Sequence, residues 1–269
     1  MALEDTTKTL ATSHEGSFPF HITEFGLHLV VHKGVAAFEQ FPRRRWATAN
    51  FPPVKGLDVL EVGCAFGLSG LHFANLGARS VTCVDINAFA VVNTVENATG
   101  NNIHNLQAFE SDALSNVPSG RRFDVIFWNA PSRLDSDANH SAEDLGLKIV
   151  DPKHLLLLRL LSEGPHWLTQ GGRIIVSVGG NSCADILTNI VHENRLECST
   201  LIRGSGEDGE AFTLIQIHRP FDRLNVRFDH QARAMYTLPE LPESQSELSL
   251  SKEEAIVSPS MLTPVKARA

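Results

Sequence analysis

Between residues 57 and 193 short apolar runs alternate with helix-patterned segments, and that alternation restricts the chain to an α/β fold. Residues 57–62 (LDVLEV), 80–84 (SVTCV), 106–109, 123–128 (FDVIFW) and 173–178 (RIIVSV) read as strands. Residues 68–76, 88–98, 152–168 and 184–193 read as helices, the first closed by Gly77. Two more strand patterns, 196–203 and 211–218, are joined by residues 204–210 (GSGEDGE). That link is too short for a crossover helix, so these strands should run antiparallel. The expectation is a seven-stranded, mostly parallel sheet with a C-terminal antiparallel hairpin strand and helices on both faces.

The ends read differently. Residues 1–16 form a polar tail, expected to be flexible and without a signal-peptide core. Within 17–52, Phe25-Gly26 and Lys33-Gly34 are turn signals around an apolar run, which predicts a small hairpin or lid ahead of the main domain. Pro52-Pro53 marks a boundary, and residues 53–222 form the expected catalytic domain. Residues 223–236 are an extension, and 237–269, with Pro239, Pro242, Pro259, Pro264 and an excess of acids, should be disordered. The greasiest run, 155–158, is interrupted by Arg159, so a membrane span is not expected and a cytoplasmic location is.

The net charge of -8 disfavours a phosphate backbone as partner. Arg43, Arg44 and Arg45, next to Trp46, make a local basic run, read as a solvated flank in preference to a nucleic-acid contact. Cys64, Cys83, Cys183 and Cys198 form no zinc spacing; reduced thiols and no metal are expected.

Three strand ends carry the chemistry. The first runs into Glu61-Val62-Gly63-Cys64-Ala65-Phe66-Gly67, a strand-to-helix turn where a ligand can touch main chain. A side chain at Gly63 would obstruct that approach, and Gly67 permits close packing of helix on strand. The second ends at Asp85, followed by Ile86; an acid there can accept both hydroxyls of a ribose. The third is followed by Ser111-Asp112-Ala113, where Asp112 can accept from an adenine amine. All three lie on the edge where open α/β sheets bind ligands. A nicotinamide dinucleotide is the rival, but its fingerprint would need glycine where Ala65 and Leu68 stand.

Residues 55–220 resemble the class I S-adenosylmethionine methyltransferases, whose fold is Rossmann-like, in the E-V-G-C-A-F-G turn, the V-D-I-N strand end, the S-D-A turn and the closing hairpin. The resemblance implies S-adenosylmethionine as cofactor, held by Glu61, Gly63, Ala65, Gly67, Asp85, Ile86, Asp112 and Ala113. The family has glycine where Ala65 stands, a substitution expected to cost little.

The fourth strand ends in Asn129-Ala130-Pro131-Ser132, which resembles the N-P-P-Y motif of amino methyltransferases acting on release-factor glutamine, ribosomal RNA and DNA adenine. Carried over, the Asn129 side chain and the Ala130 carbonyl would accept the N–H groups of the target nitrogen, and Pro131 would fix the turn. Ser132 stands where the family has a stacking ring. Alternation along the strand turns Trp128 to the opposite face, into the core. Residues 26–35 resemble the cofactor-covering segment of the same enzymes, with Phe38 and Phe41 as possible lining, and 165–178 their helix–Gly-Gly–strand passage. His28, His32 and His140 are assigned no role. The resemblance implies methylation of an amide or amino nitrogen on a protein or small molecule by direct displacement. An O-methyltransferase and a cofactor-binding protein without catalysis are the alternatives.

Overall fold

The computed structural model describes residues 18–36, 42–130, 155–179, 181–206, 209 and 211–220, with backbone alone for 181–186. Pro131, Ser132, Phe38, Phe41 and His140 lie outside the described residues, as do both tails.

Strands β1 (Phe20–Glu24) and β2 (Leu27–Val31) form an antiparallel hairpin. Its turn, Phe25-Gly26, has positive φ at both positions, the geometry that lets a two-residue loop follow the strand twist. Helix α1 (Pro42–Ala49) follows. Then come β3 (Asp58–Val62), α2 (Leu68–Asn75), β4 (Ser80–Asp85), α3 (Ala88–Gly100), β5 (Leu106–Glu110) and β6 (Phe123–Asn129). The chain closes with α4 (Leu155–Glu163), β7 (Leu168–Gly179), α5 (Asn181–Glu193), β8 (Glu197–Ser205) and β9 (Ala211–His218). The seven-stranded sheet has the order β5-β4-β3-β6-β7-β9-β8. Strands β3 to β7 are parallel; β9 runs antiparallel to both β7 and β8. This is the Rossmann-like sheet that the alternating pattern predicts.

Two differences concern boundaries. The predicted helix over 152–168 is shorter, because a 3₁₀ turn over Gly164–Trp167 ends it, with Pro165 in that turn. Strand β7 starts five residues earlier than expected, at Leu168, and passes through Gly171-Gly172 as an irregularity against β6. A side chain at Gly172 would put a Cβ 2.8 Å from the Phe123 carbonyl oxygen, so close backbone contact there needs glycine.

The sheet is buried on both faces. On one, Leu60, Val62, Trp128 and Val176 pack with Leu157, Leu160 and Leu161 of α4. On the other, Val59, Phe127, Ile175 and Leu214 pack with Ala47 of α1 and Phe73 of α2. Trp128 is buried in the first cluster and Phe127 in the second, as strand alternation requires.

The β1–β2 hairpin docks on α3 through asparagines. Asn93, Asn97 and Asn101 accept from the backbone N–H groups of His32, Val30 and His28. Asn93 and Asn97 also donate to the Val30 carbonyl, and Asn101 to that of His28. Residues four apart on a helix rise about 6 Å, and alternate residues of a strand about 6.8 Å, so the two rows match. The free edge of β2 is thereby satisfied by side chains instead of by another strand. Leu27, Leu29 and Val31 pack against Ala65 and Phe66, which brings the hairpin onto the turn after β3.

Candidate functional site

The parallel order places the ends of β5, β4, β3 and β6 side by side on one edge. In register, Glu61 pairs with Cys83 and Phe127, and Val62 with Val84 and Trp128. The turns after these strands are therefore neighbours.

After β3 the backbone turns sharply. Gly63, Ala65 and Gly67 all have positive φ, at 73°, 54° and 89°. The N–H groups of Gly63 and Cys64 donate to the Val84 carbonyl, and the Gly67 N–H to that of Cys64. A Cβ built on Gly63 meets nothing within 4 Å: open space lies over it. One on Gly67 would meet Thr94 Cγ2 at 2.8 Å and Leu71 Cδ1 at 2.9 Å, because α2 starts hard against α3. The two glycines thus do different things, one facing space and one facing packing. Ala65 takes the left-handed conformation, where alanine carries strain of roughly 1 kcal/mol relative to glycine.

Asp85 ends β4, and its carboxylate clamps two segments. Oδ2 accepts from the Ala65 N–H and Oδ1 from the Asn87 N–H, each at 2.9 Å. The carboxylate stays half-exposed, with lone pairs to spare for hydroxyls. Ile86 beside it is 60% exposed. The Ser111 N–H donates to the Asp85 carbonyl, which ties the third turn to the second. In that third turn Ala113 is buried with φ of 50°. The Asp112 carboxylate is exposed and meets Arg159 of α4 at 2.8 Å. Sequence reading gave Asp112 to a ligand without foreseeing this partner.

Glu61 is a clear correction. Its side chain, expected to meet the cofactor, has no exposed surface. It lies under the turn, where Oε2 accepts from the Gly70 N–H at 2.8 Å and Oε1 is 3.8 Å from Arg44 Nη1. Burial pushes its pKa up to about 7 against the opposing pull of Arg44. Cys83 next to it is a buried thiol pushed upward by its contact with Cys64 and by burial. Such a thiol is a poor nucleophile.

The basic run is the second correction. Arg43 and Arg44 are 7% and 2% exposed, not solvated. Arg44 donates from Nη2 to the Gly63 carbonyl at 2.8 Å and from Nη1 to that of Cys64 at 2.9 Å. Arg43 Nη2 donates to the Ala130 carbonyl. That carbonyl, expected to serve the target nitrogen, already holds a protein donor. Only Arg45 is open, and it pairs with Glu24 at 2.8 Å.

Asn129 ends β6, in register with Ser177 of β7. Its Oδ1 is shut off from solvent and has no hydrogen-bond partner among the described residues; the same is true of Ser177 Oγ. Both fall on the sheet face of Phe127 and Ile175 that α1 covers. Ser177, Arg43, Arg44 and Arg159 were missed by sequence reading. A lone serine inside a strand and arginines before a Pro-Pro boundary give no periodic signal. Three asparagines at fourfold spacing in a helix do, and Asn93, Asn97 and Asn101 could have been found that way.

Residues 48–198 match the family described as Methyltransferase small domain. The chain belongs to the methyltransferase small domain family. It is 37% identical over 132 residues to a protein of Methanocaldococcus jannaschii named "Putative protein N5-glutamine methyltransferase", covering 46% of this chain and 62% of that one. It is 28% identical over 150 residues to the release factor glutamine methyltransferase of Vibrio cholerae, covering 51% of each. The chain thus spans little more than half the length of these relatives. The T. thermophilus 16S rRNA N2 G1207 methyltransferase, solved with AdoMet and guanosine, shares the fold at a TM-score of 0.51 and 18% identity, over 75% of this chain and 50% of that one.

A methyltransferase small domain takes S-adenosylmethionine, and the strand ends here suit it. The open space over Gly63, the half-exposed Asp85 carboxylate and the exposed Ile86 adjoin one another on one sheet edge. Among the described residues there is no group of three His, Cys, Asp or Glu side chains fit for a metal, and no helix long and apolar enough to cross a membrane.

Proposed function

We propose that the protein transfers a methyl group from S-adenosylmethionine to a nitrogen, an amide or amino group of a protein or small molecule. The relatives named for glutamine methylation favour a glutamine side-chain amide in a protein. The observation that carries the reading is the Asn129 Oδ1 atom. It is buried, unpartnered among the described residues, and placed at the sheet edge beside the turn after β3. A buried acceptor left without a donor costs about 1–3 kcal/mol, a penalty that a donor arriving with the substrate removes.

Bound S-adenosylmethionine would supply a methyl carbon activated by its positively charged sulfur. The protein's part is to hold and align. The turn of Gly63 and Ala65 would lie beneath the cofactor, with Gly67 packing α2 against α3 to hold it; Asp85 would offer its remaining lone pairs to ribose hydroxyls, and Ile86 and Ala113 would lie toward the adenine. Asp112, although engaged by Arg159, stays exposed enough to accept from the adenine amine. Asn129 Oδ1 accepts one N–H of the target nitrogen, which turns its lone pair toward the reacting carbon. The Ala130 carbonyl keeps a second lone pair beyond Arg43, and Pro131 and Ser132 complete the motif in sequence. A proton lost after transfer needs no general base at the nitrogen.

The test is incubation with S-adenosylmethionine carrying a labelled methyl group and cell extract, followed by mass spectrometry of labelled peptides. Label at the side-chain nitrogen of glutamine, lost at least 100-fold in Asn129→Ala with cofactor affinity kept, is the expected result. Label on oxygen, or binding of cofactor with no label in any fraction, would sink it.

A further inference from the structure

We propose that Arg43 and Arg44 are paired positioning residues that fix the cofactor turn and the acceptor turn against each other through one helix. The inference rests on the nitrogen-methylation reading above. Its geometry is independent of which nitrogen is the target.

The two arginines are consecutive in α1, and they reach different turns. Arg44 holds the carbonyls of Gly63 and Cys64, after β3. Arg43 holds the carbonyl of Ala130, after β6. Strands β3 and β6 are hydrogen-bonded neighbours, with Val62 beside Trp128, so one helix end spans both turns. Both guanidinium groups are withdrawn from water. Burying two charges in succession is a costly way to stabilise a helix, and an apolar pair of similar size would pack at least as well. The arrangement is useful for geometry: planar forks with fixed donor directions hold carbonyls in place.

Helix α1 is itself anchored. Trp46 packs against Phe212 with ring centroids 5.7 Å apart, and a Cβ on Gly204 would lie 2.4 Å from Trp46 Nε1. Thr48 Oγ1 meets Ser69 Oγ of α2 at 2.8 Å. A rigid helix gripping both turns sets the distance between the methyl donor's seat and Asn129, and transfer rates depend steeply on that distance.

The pair acts through other groups and touches neither cofactor nor acceptor. The two halves can therefore be separated. The Ala130 N–H donates to the Ser177 carbonyl and the Gly67 N–H to the Cys64 carbonyl, so their amide exchange reports each turn. The full-length chain and its Arg43→Lys, Arg43→Gln and Arg44→Lys variants are compared by hydrogen exchange without ligand, by calorimetry with S-adenosylhomocysteine, and by transfer of labelled methyl to extract. Arg43→Lys should speed exchange at Ala130 at least tenfold, leave Gly67 exchange and S-adenosylhomocysteine affinity within twofold, and slow transfer at least tenfold. Arg44→Lys should speed exchange at Gly67 and weaken S-adenosylhomocysteine at least tenfold. Uniform acceleration at both amides in every variant, or no change at Ala130 in Arg43→Lys and Arg43→Gln, would overturn the proposal. A wild-type chain that fails to bind S-adenosylhomocysteine would overturn the methylation reading instead, because the exchange experiment needs no ligand.

Discussion

Asn97 accepts the Val30 N–H at 2.8 Å and donates to the carbonyls of both Val30 and Phe66 at 2.9 Å. One buried amide thus joins the hairpin, α3 and the turn after β3. Truncation to alanine removes the side-chain partners of the Val30 N–H and the Phe66 carbonyl, while the Val30 carbonyl keeps Asn93. Asn97→Ala should lower unfolding free energy by about 2–4 kcal/mol. Asn101 does similar work at the open end of the helix, where water replaces it, and Asn101→Ala should cost less than about 1 kcal/mol. Urea midpoints of the two variants measure the contrast. Equal losses would mean that the asparagine row does not hold the hairpin.

Glu61 makes stability depend on pH. Arg44 of α1, Cys83 of β4, and Ser69 and the Gly70 N–H of α2 face its carboxyl, and burial dominates, raising the pKa from 4.5 to about 7. Between those values the folded chain holds a proton that the unfolded chain has released. Stability from this group is therefore full below pH 4.5 and is lost as pH rises through 7. The upper limit is about 3 kcal/mol, from roughly 1.4 kcal/mol per pKa unit. Glu61→Gln removes the titration, so its unfolding free energy should stay flatter between pH 5 and 8 than that of the wild type. Chemical denaturation at several pH values gives the slopes. Parallel curves would show that Glu61 is ionised throughout.

Asp85 should control cofactor affinity more than fold. Its carboxylate serves the Ala65 and Asn87 N–H groups and keeps an exposed side. Asp85→Asn keeps the size but turns one oxygen into a donor facing an N–H. Calorimetry with S-adenosylmethionine should give at least tenfold weaker binding for Asp85→Asn and for Asp85→Ala. Stability losses should remain near 1–2 kcal/mol, the cost of freeing partly exposed N–H groups. Unchanged affinity in both variants would remove Asp85 from the site.

What the sequence made legible follows from locality. Strand and helix periods, and glycines at strand ends, are written in neighbouring residues, and β3 to β6 start and stop within two residues of the expected positions. The edge that gathers Gly63, Asp85, Asp112 and Asn129 follows from parallel order alone. What stayed hidden is who sits behind those residues. Glu61 looked like a ligand contact because an acid before a glycine turn has no local sign of burial. Arg43 and Arg44 looked solvated because their partners, Gly63, Cys64 and Ala130, are backbone carbonyls far along the chain. Three of the site's supports are thus contacts between a side chain and distant main chain, which no spacing rule encodes.

Gly63 and Gly67 separate binding from folding within a single turn. Both have positive φ, so alanine at either position carries backbone strain of roughly 1 kcal/mol. At Gly63 that strain is the whole cost, since a Cβ there meets nothing within 4 Å. The new methyl group does, however, project into the open space over the turn. Gly63→Ala should lose about 1 kcal/mol of stability and much of its affinity for S-adenosylmethionine. At Gly67 the added Cβ would press on Thr94 and Leu71 at under 3 Å, between α2 and α3. Overpacking of that kind adds about 1–3 kcal/mol to the strain, so Gly67→Ala should be the less stable variant by that margin. Thermal melts and calorimetric titrations on the same two samples should rank them in opposite orders. If Gly63→Ala binds S-adenosylmethionine as the wild type does, the cofactor does not lie over this turn.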